Sequence, residues 1–234
     1  MVDSPSQPAT DARWPKILSL AAHELRSPLS VAAGYVRMLL QQRAGPLSEG
    51  QQRLLEEAEK SCGRLSALLL ELSDLAKLES GTAAFNRSTV SLERVLAEAI
   101  AALPPLPERD LRVRLDESPT RSVPGDATRL RSAFAAIFHA LSRELVPAED
   151  LVVRVAGSHE VGPSTVRVGM AGPSKIEVLM QLPIESFAPF DEWRGGTGLS
   201  LPTARRIIEA HGGRLLSPPD DSKASAAVFL PSIP

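Results

Sequence analysis

The sequence is short of cysteine, of aromatic residues and of long apolar runs, and each shortage excludes something. Cys62 is the only cysteine, so no disulfide can close within the chain. No run of about 18 or more apolar residues occurs, and the stretch from Met1 to Asp11 is polar and proline-bearing, without an apolar secretion core. No membrane span is therefore expected, and the expected location is the cytoplasm. Aromatics make up only 4% of residues, and 26 Lys and Arg stand against 28 Asp and Glu, a net charge of −2 that argues against broad nucleic-acid binding. What is present is leucine and alanine within a 43% hydrophobic chain, a composition that suits helix packing. A length of 234 residues leaves room for one large or two modest domains. There is no internal repeat.

Residues 1–11 read as a disordered lead-in. Asp11 can cap a first helix that continues to about Arg43. Its apolar residues Leu18, Ala22, Leu25, Leu29, Ala32, Val36 and Leu39 step by three and four, the seam of a helix lying along another helix. A turn at Ala44-Gly45-Pro46 precedes a second helix from about Ser48 to Glu79, with a seam at Leu54, Ala58, Cys62, Leu65, Leu69, Leu72 and Leu75 or Ala76. Ser80-Gly81-Thr82 ends it and marks a domain boundary. Helices of about thirty residues span about 45 Å. Such a hairpin is expected to bury its seam by dimerising into a four-helix bundle. The alternative is a hairpin packed on the rest of its own chain.

Within the first helix, Ala21-Ala22-His23-Glu24-Leu25-Arg26-Ser27-Pro28-Leu29 concentrates chemistry. His23 follows a seam position by one residue, which predicts a ring beside the buried stripe with one edge in solvent. A free imidazole titrates near pH 6.5 and is a nucleophile at neutral pH. Glu24 can hold one ring nitrogen and leave the other to attack, although neighbours in sequence share a helix face only through rotamer choice. Pro28 leaves the carbonyl of Glu24 without its helical donor, which invites a bend one turn beyond the histidine.

The remainder alternates helices and strands. A helix is predicted from Ser91 to about Ala102, and an alternating strand over Leu111–Leu115. Another helix follows Asp126, its expected N-cap, to about Leu145. Short strands follow at Leu151–Ala156 and Thr165–Met170. Gly195-Gly196-Thr197-Gly198-Leu199-Ser200-Leu201-Pro202 leads into a helix ending near His211, and Arg214–Leu216 with Ala226–Leu230 form a last hairpin. The expected fold class is α+β: a dimeric hairpin bundle followed by an α/β sandwich, its sheet covered on one face.

The segment from Ala21 to Leu29 closely resembles the phosphoacceptor motif of bacterial two-component sensor histidine kinases, and the second half resembles the ATP-binding domain that follows it there. The second resemblance rests on Asp126-x-x-Arg129-Leu130-Arg131, Phe187-x-Pro189-Phe190, Gly195-Gly196-Thr197-Gly198-Leu199 and Glu209-Ala210-His211-Gly212-Gly213-Arg214. The resemblance implies three parts: a lead-in over 1–11, a dimerisation and phosphoacceptor hairpin over 12–81, and an ATP-binding-type domain over 82–234. It implies that His23 is phosphorylated, that Glu24 assists it, and that Ser27 stands where relatives carry a residue used in dephosphorylating a partner. Nucleotide contacts would come from Gly172, Gly196, Thr197, Gly198 and Leu199.

The second half departs from the family at its contacts. Ala140 takes the position of a metal-holding Asn, and Ala136 that of an earlier Asn; alanine has no oxygen for a hard cation. Met170-Ala171-Gly172-Pro173-Ser174 stands where the family has Asp-x-Gly-x-Gly, so the adenine-binding acid is gone. Only Asp191, Glu192, Trp193 and Arg194 separate Phe190 from Gly195, and Ser200 replaces a glycine. An unpaired buried adenine amino group costs about 1–3 kcal/mol. No cofactor is therefore expected, with ATP and Mg²⁺ implied only if the family's own activity survives. His139 and Glu144 lie near the lost metal position and read as packed or surface residues, as do His159 and His211. The leading expectation is a homodimeric phosphotransfer protein exchanging a phosphoryl group between His23 and a response-regulator receiver domain. Arg26 and Arg37 would help dock the receiver, and a partner histidine kinase is a second candidate partner. The alternatives are an active ATP-dependent kinase with unusual contacts and a non-catalytic scaffold.

Overall fold

The three-and-four spacing of the first third is realised as two long helices, α1 (Trp14–Leu40) and α2 (Glu49–Glu79), paired along their length. The computed structural model describes residues 13–104, 111–116, 120–145, 149–158, 165–193, 198–219 and 224–233. It divides into two units between Ala83 and Ala84. Asp11, the expected cap of α1, lies outside the described residues. The chain leaves α1 through Gln42 in the left-handed region, at φ 55°. α2 starts on a reciprocal cap: Ser48 Oγ accepts from the Gln51 amide at 3.3 Å, and Gln51 Oε1 accepts from the Ser48 amide at 2.9 Å.

The face of α1 turned to α2 carries Leu18, Ala22, Leu29, Ala33, Val36 and Leu40, each buried or half-buried. Several residues of the expected seams lie off this face. Leu25 is 54% exposed, Leu54 74% and Leu65 51%, and Ala32 is exposed as well. A strict seven-residue repeat drifts about 20° per heptad on a straight helix. Over four turns and more, one stripe read from the sequence therefore becomes two on the cylinder. The second stripe, with Trp14, Ile17, Tyr35 and Leu39 beside Leu25, is exposed within this single hairpin.

The second unit is built on a mixed six-stranded sheet and a two-stranded ribbon. The ribbon pairs β1 (Ser88–Ser91) with β3 (Ser122–Gly125) in antiparallel register. The larger sheet contains β2 (Val113–Leu115), β4 (Leu151–Ser158), β5 (Thr165–Ala171), β6 (Ala188–Pro189), β7 (Arg214–Ser217) and β8 (Ala226–Pro231). Its order is β2-β4-β5-β8-β7-β6, with β2 parallel to β4 and every other pair antiparallel. Helices α3 (Leu92–Ala101), α4 (Ala127–Glu144) and α6 (Ser200–Ala210) pack together, α4 touching both of the others.

All seven residues of β5 are buried, which requires cover on both faces rather than the one face expected. The short helix α5 (Ile176–Gln181) supplies it: Ile176 and Leu179 form one cluster with Val152 and Ala171, and Met180 lies against Gly169, where a side chain would collide with its sulfur. Arg167, 4% exposed in the middle of β5, holds that helix in place. Its guanidinium donates to the Met180 carbonyl at 2.9 Å and lies over the Phe229 ring at 4.8 Å. A cation at a helix C-terminus is favourably placed against the exposed carbonyls.

One polar node joins three separate parts of this unit. His211, 3% exposed, follows α6, and its Nε2 accepts from the Asp126 amide at 3.0 Å. Nδ1 must then carry the ring proton and donate it to the Ile207 carbonyl, 2.7 Å away. Asp126 caps α4 through Oδ1, which accepts from the Arg129 amide at 3.0 Å, while Oδ2 takes the Asn86 amide at 2.8 Å. Phe85 meets the His211 ring edge-on at 5.3 Å, and the guanidinium groups of Arg87 and Arg129 lie 5.5 and 5.6 Å from the Phe85 ring. Gly125 leaves the space for the imidazole: a Cβ there would come within 2.7 Å of the His211 ring.

Burial pushes the His211 pKa below its usual value, and Arg87 and Arg129 push the same way against the Ile207 carbonyl and Asp126. Burial and Arg143 likewise lower His139. A histidine depressed in the folded state contributes its stability in full above the unfolded pKa of about 6.5, and loses it as pH falls from there towards the folded value. The thermal midpoint should therefore drop between about pH 7 and about pH 5. His211→Gln should melt lower at neutral pH and show a shallower acid decline. Independently, Ser48→Ala should cost about 1 kcal/mol by denaturant unfolding of the hairpin.

Candidate functional site

His23 stands on the polar side of α1. Ala22 is buried at 1% exposure against α2, and one residue on, about 100° round the helix, the His23 side chain is 78% exposed. The ring is more open than the expected half-buried edge. Its Nδ1 lies 3.2 Å from Glu24 Oε1, so rotamer choice does bring these sequence neighbours together, and the Glu24 side chain is itself 70% exposed. When Nδ1 carries the proton, it donates to the carboxylate and the Nε2 lone pair faces outward. Ser27 is exposed one turn further on the same side, without a contact to the ring. α1 continues unbroken through Pro28. Arg26 is exposed, and its carbonyl accepts from Ser30 Oγ at 2.8 Å. Arg37 Nε lies 3.6 Å from Glu59 Oε1 across the hairpin.

In the second unit the positions of the expected nucleotide contacts are packed. Met170 and Ala140 are both at 0% exposure, one in β5 and the other in α4, and Ala136 is half-buried. Gly172 follows β5 in a turn whose missing Cβ leaves room for the carboxylate of Glu149. A carboxylate thus takes the close approach that this glycine permits. Gly198 adopts the left-handed region at φ 66°, and Leu199 precedes α6. Gly195, Gly196 and Thr197 lie outside the described residues, as does His159.

Just past Phe190, Glu192 is tied to α6 by charge. Arg205 donates to Glu192 Oε2 at 2.8 Å and to Glu209 Oε1 at 2.9 Å, and Asp191 Oδ1 accepts from the Trp193 amide at 3.0 Å. Sequence reading missed this pair and Glu149, because a charge partner thirteen residues or more away has no local signature. His139 is half-buried and turned to the α3 and β2 side of α4, roughly 100° from Ala140, so it does not stand in for the metal ligand. Glu144 is half-buried rather than solvated, with Oε2 enclosed. Among the described residues no cluster of three His, Cys, Asp or Glu side chains could hold a metal ion. A magnesium nucleotide does not fit what is present at Ala136, Ala140 and Met170.

The profile of the His Kinase A (phospho-acceptor) domain matches residues 16–81. The cell-division control histidine kinases PdhS of Brucella ovis and Brucella abortus are each 28% identical over 236 aligned residues, covering 93% of this chain. Residues 16–81 therefore match a His Kinase A phospho-acceptor domain, and over most of its length the chain is similar to histidine kinases. It spans about a fifth of the length of those relatives, 22% in each case. The full-length ShkA structure in complex with AMPPNP superposes with a TM-score of 0.66 at 19% identity, over 93% of this chain and 46% of ShkA. Acinetobacter baumannii histidine kinase AdeS gives 0.55 at 19% identity, over 89% of this chain and 97% of AdeS. These likenesses establish the fold: a helical hairpin followed by a mixed α/β sheet domain.

The packing at Met170 and Ala140 has a measurable consequence. Placing a polar group there without a partner should cost about 1–3 kcal/mol. Met170→Asp and Ala140→Asn should each lower the thermal midpoint by several degrees, at about 2–4 °C per kcal/mol for a unit of this size. An unchanged midpoint would mean that solvent reaches these positions, as an open nucleotide cleft would allow.

Proposed function

We propose that His23 accepts a phosphoryl group from a phosphorylated receiver domain and returns it to a receiver aspartate. The observation that carries this reading is the exposed imidazole held at Nδ1 by Glu24, and the burial of apolar Ala140 and Met170 within the second unit supports it. In the forward step the Nε2 lone pair attacks phosphorus, the P–N bond forms as the aspartyl P–O bond breaks, and the leaving carboxylate takes the electron pair. The Nδ1 proton stays on the ring, and the Glu24 carboxylate stabilises the positive charge that builds there. Ser27, exposed one turn along, would touch the same receiver and serve in dephosphorylation. Arg26 and Arg37 supply positive charge on that helix for docking an acidic receiver surface.

On this reading residues 12–81 are the phosphoacceptor and dimerisation hairpin, and 82–234 are an ATP-binding-type domain without its metal contacts. The exposed stripe of Trp14, Ile17, Leu25 and Tyr35 on α1, with Leu65 and Leu68 on α2, would be buried in a homodimeric four-helix bundle. The setting is cytoplasmic. A second reading, an ATP-dependent kinase with unusual contacts, is favoured by one observation: the ShkA structure of the same fold is a complex with AMPPNP.

The test offers the purified chain a phosphorylated receiver, and separately γ-labelled ATP with Mg²⁺. Acid-labile label should move from the receiver to the wild type and not to His23→Gln, and ATP alone should label neither. Labelling of the wild type by ATP alone would replace this reading with the kinase. The dimer is read separately by light scattering, where Tyr35→Glu combined with Leu65→Glu should shift the mass from dimer to monomer.

A further inference from the structure

The buried ring of His211 holds more than α4 and α6. Its Nε2 accepts from the Asp126 amide at 3.0 Å and its Nδ1 donates to the Ile207 carbonyl at 2.7 Å, so both nitrogens are committed and the ring is neutral. Residues 85–87 close over this node. Phe85 meets the imidazole edge-on at 5.3 Å, the Asn86 amide donates to Asp126 Oδ2 at 2.8 Å, and Arg87 Nη2 donates to the Ala210 carbonyl at 2.6 Å. Each of these three consecutive residues thus grips His211 or a residue joined to it. They lie just after the boundary between the two units and just before β1, with Asn86 and Arg87 exposed.

A second ring proton has no place in this arrangement. On Nε2 it would point at the Asp126 N–H, setting donor against donor, and would put a charge on a ring that is 3% exposed. A buried donor left unpaired costs about 1–3 kcal/mol. The ring would find a new acceptor at Asp126 only by displacing an amide, since Oδ1 is taken by Arg129 and Oδ2 by Asn86. Of the charges around it, Arg87 from the entering segment and Arg129 from α4 oppose protonation, and Asp126 favours it. Gly125, which faces the ring from β3, carries no charge, and Glu209 on α6 itself is paired with Arg205 and Arg206. Asp126 keeps its own charge in mild acid. Against the desolvation that burial imposes, the amides of Arg129, Asn86 and Thr128 hold its carboxyl below the usual range.

We propose that the His211 node is an acid-released latch on the segment by which the chain enters the second unit. Protonation of Nε2 breaks the bond from the Asp126 amide, and Phe85, Asn86 and Arg87 come away from α4 and α6. The release is local, because these residues belong to no strand of the six-stranded sheet, whereas β5 is buried throughout. It adds residues 84–87 to the free connection between the units. The sign follows from linkage: the closed ring binds a proton less readily than the released ring, so acid favours release. The effect begins below about pH 6.5, where a free histidine titrates. The latch uses no residue near His23 and does not rest on the phosphotransfer reading.

The test is amide hydrogen exchange of the full chain from about pH 7.5 to about pH 5, each rate taken relative to a free peptide at the same pH. Protection of the Asn86 and Asp126 amides should be lower than that of the β5 amides at every pH. It should fall about tenfold for each pH unit below about pH 6.5, one proton being taken up on release. His211→Gln, neutral at every pH, should abolish that fall. The ring nitrogen shifts of the wild type at neutral pH should show the Nδ1-protonated tautomer. Protection of Asn86 and Asp126 equal to that of β5, protection independent of pH below about 6.5, the opposite tautomer, or an undiminished fall in His211→Gln would each overturn the proposal. The wild-type exchange profile and the tautomer decide it even where the variant does not fold.

Discussion

The hydrogen bond from the Asp126 amide to His211 Nε2 is the contact on which the second unit depends. It joins the start of α4 to the residue that ends α6, and Asp126 at the same time binds the Asn86 amide as the chain enters the unit. Three segments far apart in sequence are thereby fixed by one side-chain node. The node is buried, so each partner left alone would lose both its water and its hydrogen bond. Gly125 is part of the same arrangement, because any larger residue would occupy the place of the imidazole.

The hairpin is governed by a different constraint. Two helices can bury only one stripe on each other, and both α1 and α2 carry more apolar surface than one stripe holds. His23 occupies what remains, the polar side of α1, where Glu24 can reach its Nδ1 without competing for the packed face. Exposure and the Glu24 contact therefore come from the same placement. An imidazole turned towards α2 would be protected from any partner.

The second unit shares its sheet and helices with the solved histidine kinase structures it resembles, and it buries apolar residues at Ala140 and Met170. Met170 belongs to the same buried surface as the rest of β5, and Ala140 lies at 0% exposure in α4. Burial of this kind strengthens the core by hydrophobic transfer and removes the oxygen donors that a hard cation requires. Glu149 against Gly172 and Glu192 against Arg205 complete the change with protein-to-protein contacts.

Much of this was legible in the chain itself. Helix positions, the Asp126 cap, the strands of the final hairpin and the motif around His23 all follow from local rules of periodicity and capping. The family resemblance and the loss of oxygen donors at Ala136, Ala140 and Met170 could be read directly as residue identities. Local rules could not divide the apolar stripe of α1 into a face for α2 and a face left open, because that depends on where the partner helix lies. They could not assign α5 to the second face of the sheet, nor show His211 as a structural node rather than one more histidine. The His211 node, for example, joins residues 40 and 85 positions apart in sequence. Sequence determined which chemistry the chain can offer, since side chains carry their donors and acceptors wherever they go. Tertiary structure decided which of those groups meet, which are shut away from water, and which, like Nε2 of His23, are left open to a partner.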